Sequence, residues 1–134
     1  MKPGDTHQKD FSFSQDQVNA FAEISGDKNP IHIDAEYAAE TVYKKPIIHG
    51  FLGGSVISNV LGTEFPGEGT VYLKQEMTFR RPMYPDVAYR VILTVLEVDE
   101  RRHRAEIETK IVSVEDGKPV LTGSASVMHK ERIG

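Results

Sequence analysis

Apolar and polar residues follow two different rhythms along the chain, and the change of rhythm divides it into a helical first part and a strand-rich second part. Near the start, Phe11 and Phe13 alternate with polar neighbours and predict a short edge strand over residues 7–13. Ser14 and Gln17 form a capping-box pattern, Val18, Phe21 and Ala22 continue at helical spacing, and Gly26 is a natural stop. Asn29-Pro30 predicts a turn, because proline biases its predecessor away from helical dihedrals. Asp34 can cap a second short helix, predicted to reach about Tyr43 and to end at Lys44-Lys45-Pro46. From His49 to Gly62, apolar residues surround almost the whole helical wheel, the pattern of a buried helix. Gly53 and Gly54 lie inside it, and each costs about 1 kcal/mol relative to alanine in a helix interior. Close approach of a neighbour, such as a sheet wrapped round the helix, is therefore expected there.

Beyond the turn Pro66-Gly67-Glu68-Gly69 the period falls to two, over predicted strands at residues 70–81, 86–98, 104–115 and 119–129. Val87, Tyr89, Val91, Leu93 and Val95 alternate with Ala88, Arg90 and Thr94 in one strand. Ala105, Ile107, Thr109 and Ile111 alternate with Glu106, Glu108 and Lys110 in the next. One apolar and one charged face per strand means an antiparallel sheet with a wet side. Short turn signals between the strands predict that consecutive ones are joined as hairpins. The fold class is α+β, an antiparallel sheet curled round one buried helix.

The 134 residues suit a single domain spanning 1–134, large enough to hold a core without a staple. With no cysteine, disulfides, thiolate zinc sites and cysteine nucleophiles are all removed. A net charge of −4 with no basic cluster argues against a nucleic-acid partner. The run Arg101-Arg102-His103-Arg104 follows two acidic residues and reads as a solvated turn. No stretch approaches the roughly 18 to 20 apolar residues that span a bilayer, and the N-terminus lacks an apolar leader core. No membrane association and a cytoplasmic location are expected.

Two places could carry chemistry. Asp27 and His32 bracket the Asn29-Pro30 turn, and a carboxylate beside an imidazole can hold and deprotonate water. Asp27 and Asn29 serve equally well as plain turn formers. His49-Gly50 precedes the buried helix, whose first amides lack partners and carry the positive end of the helix dipole. A glycine there lets a carbonyl approach the backbone, although it also suits a simple helix start. Gly53-Gly54-Ser55 lacks the glycine that should follow a nucleophilic serine, and the glycine-rich text lacks a Walker lysine. A metal held by Asp27, His32 and His49 matches no recognised ligand spacing.

The run Phe21-Ala22-Glu23-Ile24-Ser25-Gly26-Asp27-Lys28-Asn29-Pro30-Ile31-His32-Ile33-Asp34 resembles the signature segment of MaoC-like, R-specific enoyl-CoA hydratases. Pro46-Ile47-Ile48-His49-Gly50-Phe51 resembles that family's approach to its central helix. The likeness extends from about Phe11 to Val127 and includes the segment from Tyr72-Leu73 to Phe79. It implies a hot dog fold, normally a homodimer, that reversibly hydrates trans-2-enoyl-CoA to (R)-3-hydroxyacyl-CoA without metal or redox cofactor. On this resemblance Asp27 and His32 activate water, the Gly50 amide stabilises the thioester oxygen, and Ser58 lines the site. Asn29 and His49, inside the same motifs, are counted with Ser58 as substrate-binding positions, and Lys44, Lys45, Arg80 and Arg81 as candidates for the CoA pyrophosphate. The alternatives are a hot dog thioesterase, a 3-hydroxyacyl-thioester dehydratase, or a non-catalytic acyl-thioester binding module. The thioesterase and the acyl-carrier-protein dehydratase usually place an acid on the central helix, and residues 50–61 contain no Asp or Glu.

Overall fold

One strand, four helices and four further strands succeed one another in the computed structural model, which describes all 134 residues. They are β1 (Thr6–Phe11), α1 (Gln15–Ser25), α2 (Pro30–Ile33), α3 (Ala35–Ala39), α4 (Gly50–Thr63), β2 (Val71–Phe79), β3 (Tyr89–Asp99), β4 (Arg104–Ser113) and β5 (Pro119–Met128). The strands form one antiparallel sheet in the order β1-β3-β4-β5-β2. This is the hot dog arrangement, with α4 as the helix that the sheet enfolds.

The core follows from the two periods. On α4, Leu52, Val56, Ile57, Val60 and Leu61 are buried. They belong to the same apolar cluster as Val91, Leu93 and Val95 of β3, Ile107 and Ile111 of β4, and Leu121, Ala125 and Val127 of β5. Register places like faces together, pairing Val91 with Ile111 and Ile111 with Leu121. Close approach at the helix glycines is present as expected. A Cβ at Gly53 would lie 2.7 Å from the Met83 sulfur, and one at Gly54 would lie 2.8 Å from that of Met77.

Three local expectations need correction. The β3–β4–β5 run is a meander of hairpins, but β2 pairs with β5 on the far edge and not with β3. Residues 80–88, between Phe79 and Tyr89, hold two prolines and are too long a connection for a tight hairpin. They run instead beneath the start of α4, where the Met83 carbonyl accepts from the Ile48 amide and the Asp86 amide donates to Phe13. Asn29-Pro30 does not form a plain turn but starts the one-turn helix α2. The Asn29 side chain accepts from the Ile31 amide, and proline sits at the first helical position, where its missing N–H costs nothing. Finally, α3 stops at Ala39 and does not reach Tyr43. The Thr41 hydroxyl donates to the Ala38 carbonyl and accepts from the Tyr43 amide, and Lys44 adopts φ 69°.

Candidate active site

The capped helices bring the two sequence motifs together. Both capping-box bonds of α1 form, and Gly26 at φ 81° ends the helix in the left-handed region that glycine tolerates. The chain then turns through Asp27, whose carboxylate accepts from the Asn29 amide, into α2. The single turn of α2 delivers His32 back toward Asp27 and against His49. Polar atoms of Asp27, His32 and His49 lie within 4.8 Å of one another.

These residues line a cavity of about 620 Å³, together with Gly50, Phe21, Phe79 and Met83. Asp27 is exposed toward it, whereas His32 and His49 are buried. Hydrogen bonding fixes both imidazole tautomers, because a carbonyl can only accept. His32 Nδ1 donates to the Ile47 carbonyl at 2.7 Å, which leaves the lone pair on Nε2. His49 Nε2 donates to the main-chain carbonyl of Asp27 at 2.9 Å, leaving Nδ1 as an acceptor that is buried and unpartnered. Burial is the main cause that pushes the His32 pKa down, and the neighbouring His49 adds to it. The Ile47 carbonyl and Asp27 act in the opposite direction. His32 is therefore a neutral imidazole near pH 7, with a free lone pair for accepting a proton.

Gly50 opens α4. Its amide donates to no acceptor within the chain, whereas Leu52 and Gly53 both donate to the His49 carbonyl. No side chain caps this end. The amide thus remains available at the positive end of a fourteen-residue helix. A side chain at position 50 would meet the Phe79 ring at 2.7 Å, so glycine is what lets the ring and the amide share one wall.

The remaining predicted positions divide. Arg80 and Arg81 line the cavity; neither is in an ion pair, and Arg80 Nε donates to the Thr122 hydroxyl at 3.0 Å. Asn29, Lys44, Lys45 and Ser58 do not line it. Asn29 is occupied as the cap of α2, and the Lys45 ammonium sits 5.0 Å from the centre of the Tyr84 ring. Ser58 lies with Phe51 and Ser55 on the exposed side of α4. Sequence reasoning missed Phe21, Tyr43, Phe79 and Met83 in the cavity wall, and the Ile47 carbonyl that orients His32. A main-chain carbonyl carries no residue signature. The missing Cβ at Gly50 was the one hint that a ring stood opposite.

A helix held by a curled sheet, with a carboxylate, a neutral imidazole and a free helix-terminal amide around one cavity, defines a hot dog protein built to act on a carbonyl compound. The chain belongs to the family described as the MaoC like domain, whose model matches residues 3–116. It is 38% identical over 117 residues to the (R)-specific enoyl-CoA hydratase of Aeromonas caviae, covering 86% of this chain and 85% of that one. It is 41% identical over 114 residues to the 3-hydroxybutyryl-CoA dehydratase of Methylorubrum extorquens, covering 85% of this chain and 71% of the relative. The solved structure of an R-hydratase from Pseudomonas aeruginosa superposes with a TM-score of 0.92 at 37% identity, covering 98% of this chain and 83% of that one.

Proposed function

We propose that this protein is an (R)-specific enoyl-CoA hydratase, a hydro-lyase that reversibly adds water to trans-2-enoyl-CoA. One observation carries the reading: the Asp27 carboxylate, the His32 imidazole and the undonated Gly50 amide meet at one cavity. Similarity to hydratases across most of the chain supports it.

The chemistry follows from these three groups. The substrate thioester oxygen accepts from the Gly50 amide, where the helix dipole favours the negative charge that develops on it. A water molecule between Asp27 and His32 Nε2 gives up a proton as its oxygen bonds to C3. The electron pair of the C2–C3 double bond moves toward the carbonyl as an enolate, and a proton delivered to C2 completes the (R)-3-hydroxyacyl thioester. Asp27 and His32 share the proton traffic as a coupled pair. These steps call for no resident metal or redox group, and the two histidines are poorly set to share a metal. The His32 and His49 rings are stacked with centroids 3.9 Å apart and planes inclined by 23°. Lone pairs lie in the ring planes, and planes so nearly parallel meet far beyond the roughly 2 Å of an imidazole–metal bond.

The protein works as a homodimer built on β2. That strand is a sheet edge, and Val71, Tyr72, Leu73 and Phe79 on it are exposed, as is Phe51 of α4. An open apolar edge favours pairing with a second copy, which would also cover the Ser58 side of α4. A sedimentation experiment showing a stable monomer at micromolar concentration would overturn this part. No helix of the chain is long and apolar enough to cross a membrane.

The catalytic reading is tested by loss of the enoyl absorbance of crotonyl-CoA, with product chirality assigned by stereospecific dehydrogenases. Asp27→Asn and His32→Ala are each expected to lower kcat by about 10²- to 10⁴-fold. Full activity in either variant, or no hydration by the wild type, would sink it.

A further inference from the structure

We infer that His49 is a positioning residue: one buried imidazole holds the Asp27 turn by its backbone and the His32 ring by its face, and touches neither water nor substrate. The inference rests on the hydratase reading and concerns how its catalytic pair is held.

Burial argues first against direct contact with substrate. His49 is 2% exposed, although it forms part of the cavity wall. Its two nitrogens are used unequally. Nε2–H donates to the Asp27 carbonyl, across twenty-two positions of sequence, while Nδ1 is buried with no partner. An aromatic hydrocarbon would fill the same space without leaving a buried acceptor bare. The donor is therefore the reason for an imidazole, and that donor grips the backbone of the residue whose side chain faces the cavity.

The ring face does the second task. His49 stacks on His32 and also packs edge-to-face with Phe21, at 4.8 Å between centroids. With Nδ1 of His32 tied to Ile47, the stack leaves that imidazole no freedom to turn, and Nε2 stays aimed. A second nitrogen ring beside His32 also opposes its protonation, in the same direction as burial. The other charged or titratable groups around the cavity are Asp27, which favours protonation of His32, and Tyr43, Arg80 and Arg81. Because His49 immediately precedes Gly50, one residue sets the carboxylate turn, the base and the start of the helix that supplies the amide.

Two substitutions separate donor from stack. His49→Phe keeps a ring against His32 but loses the N–H. His49→Gln keeps an amide donor near the position of Nε2 but loses the ring. With crotonyl-CoA, His49→Phe is expected to lower kcat about 10²-fold, a loss that about 1 Å of misplacement can cause. KM should change by no more than about twofold, since no substrate contact is removed. His49→Gln should recover at least about tenfold of that loss. In both variants the acid limb of the kcat profile should move to higher pH, because the neighbouring imidazole is gone. A raised KM with kcat preserved would make His49 a substrate contact and overturn the inference. So would two folded variants, checked by circular dichroism, with unchanged kcat and an unmoved acid limb. If neither variant folds, the ¹⁵N-labelled wild type decides: long-range histidine correlations must show His49 as the Nε2–H tautomer, and an Nδ1–H tautomer refutes it. The spectrum needs no turnover, so an inactive wild type would count against the hydratase reading while leaving this test intact.

Discussion

Gly50→Ala should separate activity from stability, and the distances at this position say by how much. A Cβ there would stand 2.7 Å from Cε1 of Phe79 and 3.0 Å from both Cδ1 and Cζ. Ordinary contact begins near 3.4 Å, so the ring must retreat by at least 0.7 Å (3.4 − 2.7 Å). Within one protomer Phe79 has room to retreat, being 52% exposed on the edge strand and edge-on to Phe51, itself exposed, so the displaced ring presses on the proposed dimer seam and not on the core. The repacking cost of about 1 kcal/mol is offset only in part, because the roughly 1 kcal/mol that alanine gains over glycine holds for a helix interior and Gly50 is the first residue of α4. Stability in urea should therefore change by no more than about 1 kcal/mol. Activity should not escape so lightly. The thioester oxygen has to come within about 3 Å of the Gly50 amide, and a methyl group beside that amide and a displaced ring both intrude on its path. Loss of one such donor costs about 3 to 4 kcal/mol, so kcat/KM for crotonyl-CoA should fall about 10²- to 10³-fold. Adding Phe79→Leu to both backgrounds tells the two intrusions apart. Recovery in the double variant assigns the loss to the ring, and no recovery assigns it to the blocked amide. Wild-type kcat/KM in Gly50→Ala, which keeps the N–H, would show that neither the methyl group nor the displaced ring stands in the path of the carbonyl, and would refute this reasoning.

Other consequences follow from individual contacts. Burial holds His32 below its ordinary value of 6.5, so as pH falls through 6.5 the unfolded chain takes the proton first. Stability should fall with pH from 6.5 down through the folded-state value, and His32→Gln should flatten that part of the slope in pH-dependent melts. A Cβ at Gly123 would lie 1.8 Å from the Glu76 carbonyl oxygen, a backbone atom of the paired strand. Gly123→Ala should therefore cost about 1 to 3 kcal/mol in urea denaturation, and an unchanged midpoint would show that β2 can shift on β5. Arg81→Glu should raise KM for a CoA ester at low salt, with the difference shrinking as salt is added; an unchanged KM removes Arg81 from the phosphate contacts. Lys45→Ala, outside the cavity and against Tyr84, should leave KM nearly unchanged.

Elements with one buried face were legible because burial writes a period into the sequence. Strand β4 was expected over 104–115 and observed over Arg104–Ser113, and the buried helix over 49–62 and observed over Gly50–Thr63. Pairing partners leave no such trace. The β2 strand alternates well enough to be found, but most of its residues are exposed and its register shifts between Tyr72 and Lys74. Nothing local distinguishes β3 from β5 as its neighbour. The prolines at 82 and 85 carried the missing information, since they forbid the tight turn that a β2–β3 hairpin requires. Asn29-Pro30 was ambiguous for a related reason: the residues that favour a turn are also those that cap and begin a helix.

That ambiguity bears on the site itself. Asp27 and His32 stand five positions apart, and an open turn would leave their separation free. The one-turn helix α2 fixes it, with the Asn29 cap at one end and the Asp34 amide donating to Pro30 at the other. His32 is then held by Ile47 and His49, residues 15 and 17 positions further on, through a carbonyl and a ring face. Candidate chemistry was thus readable from side-chain identity, whereas the means of aiming it lies in main-chain carbonyls and in burial. His49 shows the difference most plainly. As a polar residue beside Gly50 it reads as a substrate contact, and only its burial and its bond to the Asp27 backbone make it a support for the residues that face the cavity.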